Sequence, residues 1–179
     1  MLRRTSKTDR GHQRSGPPRL LVVEDHPEVA RLLGKIFRRE GYEVAEVGDH
    51  QVAVMTLIGE SDPVAGVVIS FSQAGAAACL KLLDALRNNP DPRIATVRVI
   101  LVLDNPRQAM FSWQSGADEI LFRPCHADDL TARVNGAMAR RDDERSPYRR
   151  DQIERIKSDA VRPAAVDPAV VTGGVASFR

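Results

Sequence analysis

Only two cysteines stand in the 179 residues, Cys79 and Cys125, and their spacing fits neither a metal site, a redox pair nor a disulfide framework. Reduced thiols in a cytoplasmic protein are the simplest reading. Aromatic residues are scarce at 4%, yet the hydrophobic fraction of 42% suffices for one ordinary core. Neither sign of charge is in excess: 26 Lys and Arg against 24 Asp and Glu leave +2, which excludes a global electrostatic argument for nucleic acid. Long apolar runs are missing too. Leu20–Val23 is too short for a signal-peptide core, and no stretch suits a bilayer span, so no membrane contact is expected. The chain also lacks a Gly-rich phosphate loop, a nucleophile motif and a histidine cluster, which leaves an enzymatic reading without support.

What is present begins at Leu20-Leu21-Val22-Val23-Glu24-Asp25-His26-Pro27. A short continuous apolar run reads as a buried strand of a parallel sheet. Pro27 suits the first turn of a helix, where its missing N–H would lack a partner anyway. Glu24 and Asp25 then sit at the carboxyl end of the strand, where open α/β sheets place their ligand crevices. Adjacent carboxylates repel unless a cation or hydrogen-bond donors offset them. Two readings follow: a Mg²⁺ site, or negative charge favoured at a helix N-terminus.

Strand-like and helix-like segments alternate from there. Val29, Leu32, Leu33, Ile36 and Phe37 recur at helical spacing up to Gly41. Residues 42–47 alternate as a strand, 51–59 read as a helix, and 66–69 as a buried strand. A helix face through Leu80, Leu82, Leu83 and Leu86 follows, then a strand over 97–103, a short helix over 107–115, a strand over 119–122 and a helix over 128–140. Asp62 precedes the third strand and belongs at the opposite end of the sheet. Strict alternation with short connections predicts a parallel sheet with helices on both faces. Residues 1–18 carry Arg3, Arg4, Lys7, Arg10 and Arg14 against Asp9 and read as a disordered basic arm. A folded domain is expected over 19–141. Residues 142–179 are charged and proline-broken, and predict a mostly disordered tail with at most a short helix over 151–158.

With these pieces in order, the chain resembles the receiver domain of bacterial two-component response regulators. The residues that carry the resemblance are Leu20–Asp25 with its acidic pair, Gly41-Tyr42-Glu43-Val44, Gly116-Ala117-Asp118 and Arg123-Pro124. It implies an α/β fold, flavodoxin-like (CheY-like), with a five-stranded parallel sheet sandwiched by helices. It also implies Mg²⁺ at the acidic pair and an aspartate at the end of the third strand that accepts a phosphoryl group. That position is Ser70 here, or Phe71 when counted back from Leu80-Lys81-Leu82-Leu83, and neither is a carboxylate. The hydroxyl that ends the family's fourth strand is replaced by Leu103, followed by Asp104, which would repel an incoming phosphate. The switching aromatic of the fifth strand is replaced by Ile120. The family's lysine is replaced by Arg123, which keeps the charge on a planar fork.

These departures agree with one another and point to a degenerate pocket of Glu24, Asp25, Leu103, Asp104, Ile120 and Arg123, with no catalytic residues. Arg–carboxylate pairing across the top of the sheet is expected to hold Glu24, Asp25 and Arg123 together. No cofactor is expected, and Mg²⁺ on Glu24 and Asp25 would be weak. Ser70 lacks an activating base and is not expected to be phosphorylated. Cys125 is expected to be a buried small hydrophobe rather than a redox-sensitive thiol. Trp113 is expected near the pocket rim. The function implied is an atypical, stand-alone receiver acting as a phosphorylation-independent protein-interaction module. Its partners would dock through the fourth helix, fifth strand and fifth helix, with homodimerisation open and no specific DNA binding expected. The alternative is a working phosphorelay receiver with a displaced acceptor and weak Mg²⁺ binding at Glu24 and Asp25.

Overall fold

A computed structural model describes residues 16–59 and 63–161. Most of the basic arm, Asp62 and residues 162–179 lie outside the described residues. Five strands form the sheet: β1 (Arg19–Val23), β2 (Glu43–Val47), β3 (Gly66–Ile69), β4 (Arg98–Leu103) and β5 (Glu119–Phe122). All neighbours pair in parallel, in the order β2-β1-β3-β4-β5. The helices are α1 (Pro27–Arg39), α2 (His50–Gly59), α3 (Gly75–Arg87), α4 (Ala109–Gln114), α5 (Ala127–Ala139) and α6 (Asp142–Val161). A single helical turn at Pro92–Ala95 precedes β4, and a 3₁₀ turn at Pro106–Gln108 leads into α4. The parallel α/β sheet expected from the alternation, in the flavodoxin-like order that the resemblance implies, is the one found.

Period-two alternation sorts the strands' side chains into two cores. Leu21, Val23, Val67, Ile69, Val99, Leu101, Leu103 and Ile120 face one way and meet α2, α3 and α4. Leu20, Val22, Val68, Ile100, Val102 and Leu121 face the other and meet α1 and α5. Runs such as LLVV are apolar throughout because both faces are covered. Pro27 occupies the first turn of α1, and Gly41, with φ of +88°, turns the chain into β2. Apolar residues are spread around helix α2 rather than gathered on one face, so Val52, Met55 and Ile58 stay at least half exposed.

The tail differs from expectation. Instead of a mostly disordered tail with at most a short helix over 151–158, a 20-residue helix that contains this stretch runs from Asp142 to Val161. Two isoleucines alone would not anchor it, but its inward stripe begins with Arg145, Tyr148 and Arg149. Arg145 Nε and Nη2 donate to the buried Asp118 at 2.8 and 2.7 Å, and Nη1 donates to the Thr96 carbonyl at 2.7 Å. Tyr148 donates to the buried Glu119 at 3.0 Å and meets Trp113 edge-on, with centroids 5.8 Å apart. Ile153 and Ile156 then pack against the core on the α4 side. Charge-assisted bonds to carboxylates already inside the protein supply what hydrophobic burial alone could not.

Candidate functional site

The carboxyl ends of the strands bring the expected residues together. Val23 pairs with Ile69, so Glu24 and Ser70 leave the sheet side by side. Leu103 pairs with Phe122, so Asp104 and Arg123 do the same. Ser70 is thus the residue that follows β3, and its N–H still donates to the Val23 carbonyl at 2.9 Å. Phe71 is buried next to it, and Leu103 and Ile120 are buried in the core below.

Arg123 joins one half of this rim. Its Nε and Nη2 grip Asp104 at 2.7 and 3.0 Å, Nη1 donates to the Ser70 hydroxyl at 2.9 Å, and Nη2 donates to the Phe71 carbonyl at 3.1 Å. The Arg123 fork holds the Asp104 carboxyl below its usual range, with slight burial opposing. Arg123 is in turn raised, first by Asp104. The expected clasp from Arg123 onto Glu24 and Asp25 is therefore not made. Asp104, one residue beyond the strand on the same edge as Arg123, meets the guanidinium in two-point geometry and takes it instead.

The acidic pair is held by a different device. Glu24 is almost fully buried, and its Oε1 accepts from the backbone N–H of His26 at 2.9 Å and of Ser72 at 3.1 Å. Its Oε2 accepts from the Ser72 hydroxyl at 2.8 Å. Asp25 Oδ1 accepts from the N–H groups of Ser72 and Gln73, both at 2.9 Å, and Oδ2 from that of Ala74 at 2.6 Å. Three successive amides thus form a concavity that receives the carboxylate. Gly75, with φ of +71°, turns the loop so that it enters α3 directly after those amides. Burial pushes the Asp25 carboxyl up, but the Gln73 and Ala74 amides lead a stronger set of donors that pull it below its usual value.

Every carboxylate oxygen of the pair thus already accepts a hydrogen bond, and the donors present hydrogens where a cation would need oxygens. As arranged, the set does not fit Mg²⁺, a small ion that wants oxygen ligands in near-octahedral array. Among the described residues no group of three or more His, Cys, Asp or Glu could hold a metal. Ser72, Gln73 and Ala74 escaped the sequence reading because backbone N–H groups have no residue signature. The one available signal was Gly75 at the loop-to-helix junction.

Two further expectations are corrected. Cys125 is exposed, because the chain leaves β5 there along the rim; some burial raises its thiol and Arg123 counters only in part. Trp113 lies in the last turn of α4, which leads toward the amino end of β5, and is buried against Tyr148 rather than at the rim. The face of α4, β5 and α5 is the expected partner surface, and the chain's own α6 lies along it.

A model of the response regulator receiver domain matches residues 20–135. The chain belongs to the response regulator receiver family. This receiver is 29% identical over 126 residues to the DNA-binding response regulator MtrA of Mycolicibacterium smegmatis, covering 70% of this chain and 53% of that protein. The chain thus spans about half the length of the curated relatives it matches. A solved receiver domain of a signal transduction histidine kinase from Syntrophus aciditrophicus is 27% identical, with a TM-score of 0.58 over 68% of this chain and 90% of the other. The response regulator TrrA of Thermotoga maritima, solved with Mg²⁺ and beryllofluoride, shares the fold at 22% identity and a TM-score of 0.56, covering 67% of this chain and 98% of that one. Receivers of two-component signalling are in general signalling modules that work through other proteins. Among the described residues, no helix is long and apolar enough to cross a membrane.

Proposed function

We propose that this receiver works in two-component-type signal transduction as a phosphorylation-independent protein-interaction module. The observation that carries this reading is the state of the strand-end pocket. The residue after β3 is Ser70, its hydroxyl accepts from Arg123, and the acidic pair is saturated by loop donors. An incoming phosphodonor would find no carboxylate nucleophile after β3, a serine without a base, and Asp104 at the rim. Mg²⁺ would have to displace Ser72, Gln73 and Ala74 from the pair, so binding at Glu24 and Asp25 is weak. With the pocket locked by its own side chains, the receiver signals by which protein it holds rather than by a phosphoryl group. The partner surface is the face of α4, β5 and α5 together with α6.

The test is Mg²⁺ and beryllofluoride titration followed by calorimetry, with intact-mass measurement after acetyl phosphate. We expect no saturable heat at millimolar Mg²⁺ and no added phosphoryl mass. A stable phosphoryl adduct would overturn the reading in favour of a displaced acceptor, and peptide mapping would name the residue.

A further inference from the structure

Helix α6 is held unevenly along its length. Its first half is fixed by buried groups: Arg145 on Asp118, Tyr148 on Glu119 with the Arg140 guanidinium 3.4 Å from its ring centre, and Arg149 donating to the Gly116 carbonyl at 3.1 Å. The second half has no such hold. Its polar contacts are within the helix, Arg155 to Asp151 at 2.9 Å and Lys157 to Glu154 at 2.8 Å, with Ser158 donating to the Glu154 carbonyl at 2.9 Å. Among the described residues, no hydrogen bond or ion pair joins residues 150–161 to the rest of the receiver. Only Gln152, Ile153 and Ile156 are half-buried there, and Asp159 and Ala160 are exposed.

Beneath this half lies a groove of about 630 Å³ along β5. Its lining includes Trp113 of α4, Ile120 and Phe122 of β5, Asp129 and Arg133 of α5, and Ile156 of α6. Apolar Ile120 and Phe122 share the floor with the Glu119 carboxylate, the far wall carries Asp129 and Arg133, and Ile156 enters from the near side between Arg155 and Asp159.

We propose that residues 152–161 are a displaceable cover over the α4–β5–α5 face. The anchored first half acts as the pivot, and the cover gives way to an amphipathic helix of another protein. The occupant's chemistry is set by the one the chain already supplies: a helix with two aliphatic side chains three residues apart, flanked by charges of both signs, as Ile153 and Ile156 are flanked by Asp151, Glu154 and Arg155. The face is closed in cis, so a partner binds only as tightly as its advantage over the built-in helix allows. This deepens the interaction-module reading and rests on it for the identity of the ligand as a protein.

The experiment uses the full chain and its Ile153→Glu/Ile156→Glu variant, with a fluorescently labelled, lactam-stapled peptide of residues 150–161 as the probe. Anisotropy should show the peptide binding the variant at least tenfold tighter than the wild-type chain. Trp113 emission should stay near its wild-type position, because Tyr148 keeps its place. Equal affinity for both chains, or no binding to the variant, overturns the proposal. If the double variant fails to fold, Ile156→Ala and hydrogen exchange on the wild-type chain decide. Amides of residues 152–161 should exchange at least tenfold faster than those of residues 145–150, and equal protection counts against a cover. Phosphoryl uptake would defeat the function proposed above without touching this result. A failure here would leave that function standing with partners docked elsewhere.

Discussion

The loop amides on Asp25 and the Arg123 guanidinium on Asp104 divide the work that a cation would otherwise do at the rim. Asp25 is held by three backbone amides, so its carboxyl titrates below the usual carboxylate value. A lowered folded value means that the contribution is complete above the unfolded pKa of about 4 and fades as pH falls through the folded one. We expect the urea midpoint of the wild-type chain to decline below about pH 4, and Asp25→Asn to lose part of that decline together with roughly 1 kcal/mol near neutrality. Arg123→Lys should cost about 1–2 kcal/mol, since one ammonium cannot grip Asp104 at two points while also reaching Ser70 and the Phe71 carbonyl. A loss under a few tenths of a kcal/mol in denaturant titration would mean that the fork geometry is dispensable. The cysteines differ for the same reason of place. Burial pushes the Cys79 thiol up to about 11, whereas Cys125 is exposed, so iodoacetamide at neutral pH should label Cys125 and spare Cys79 in the folded chain. Ser70 was readable as a non-carboxylate from the sequence. Its engagement by Arg123 was not, because that depends on the Leu103–Phe122 register.

Among the elements, α1 and α6 show how a neighbour decides a substitution. A Cβ on Gly34 would collide with the Glu46 carboxylate, which bridges to Arg38 at 2.8 Å. The atom in the way is the end of a flexible side chain, so Glu46 can swing aside and forfeit a half-exposed ion pair worth under about 1 kcal/mol. Replacing a mid-helix glycine with alanine gains about the same amount. Gly34→Ala should therefore change stability by less than about 0.5 kcal/mol, a near-cancellation that a thermal melt can check. Helix α6 offers no such compensation. Arg145→Met removes the guanidinium from Asp118, leaving Arg87 and the Val99 amide as its donors, and should cost roughly 2 kcal/mol. Trp113 emission should shift as Tyr148 leaves its edge. An unchanged spectrum would place the anchor elsewhere. Only the stretch over 151–158 was legible in the sequence, because the inward stripe that precedes it is arginine and tyrosine rather than leucine. Asp118, just before β5, and Glu119, its first residue, were the available signal, since buried carboxylates call for counter-charges.

For the whole molecule, one sheet carries both cores and α6 joins the core on the α4 side, so the receiver should unfold as a unit. Urea curves from far-UV circular dichroism and from Trp113 emission should coincide for the wild-type chain. A Trp113 curve that moves first would show that α6 and α4 melt apart from the sheet. The face proposed for partners is also a property of this scale. It is built from elements that are separate along the chain, and α6 lines the groove beside it.

The sequence by itself determined the alternation of strands and helices over 20–140 and a parallel sheet with Glu24 and Asp25 at its rim, and its resemblance to receivers added the flavodoxin-like order and the company of Ser70, Asp104 and Arg123. Apolar period and turn chemistry are local, and parallel alternation leaves few topologies. Only the tertiary structure decided who pairs with whom. Arg123 went to Asp104 and Ser70, the loop amides of Ser72, Gln73 and Ala74 took the acidic pair, and Arg145 and Tyr148 drew a polar tail helix onto the fold. Hydrogen bonds and ion pairs are chosen by distances of an ångström or less between groups far apart in sequence, and residue type alone does not encode those distances.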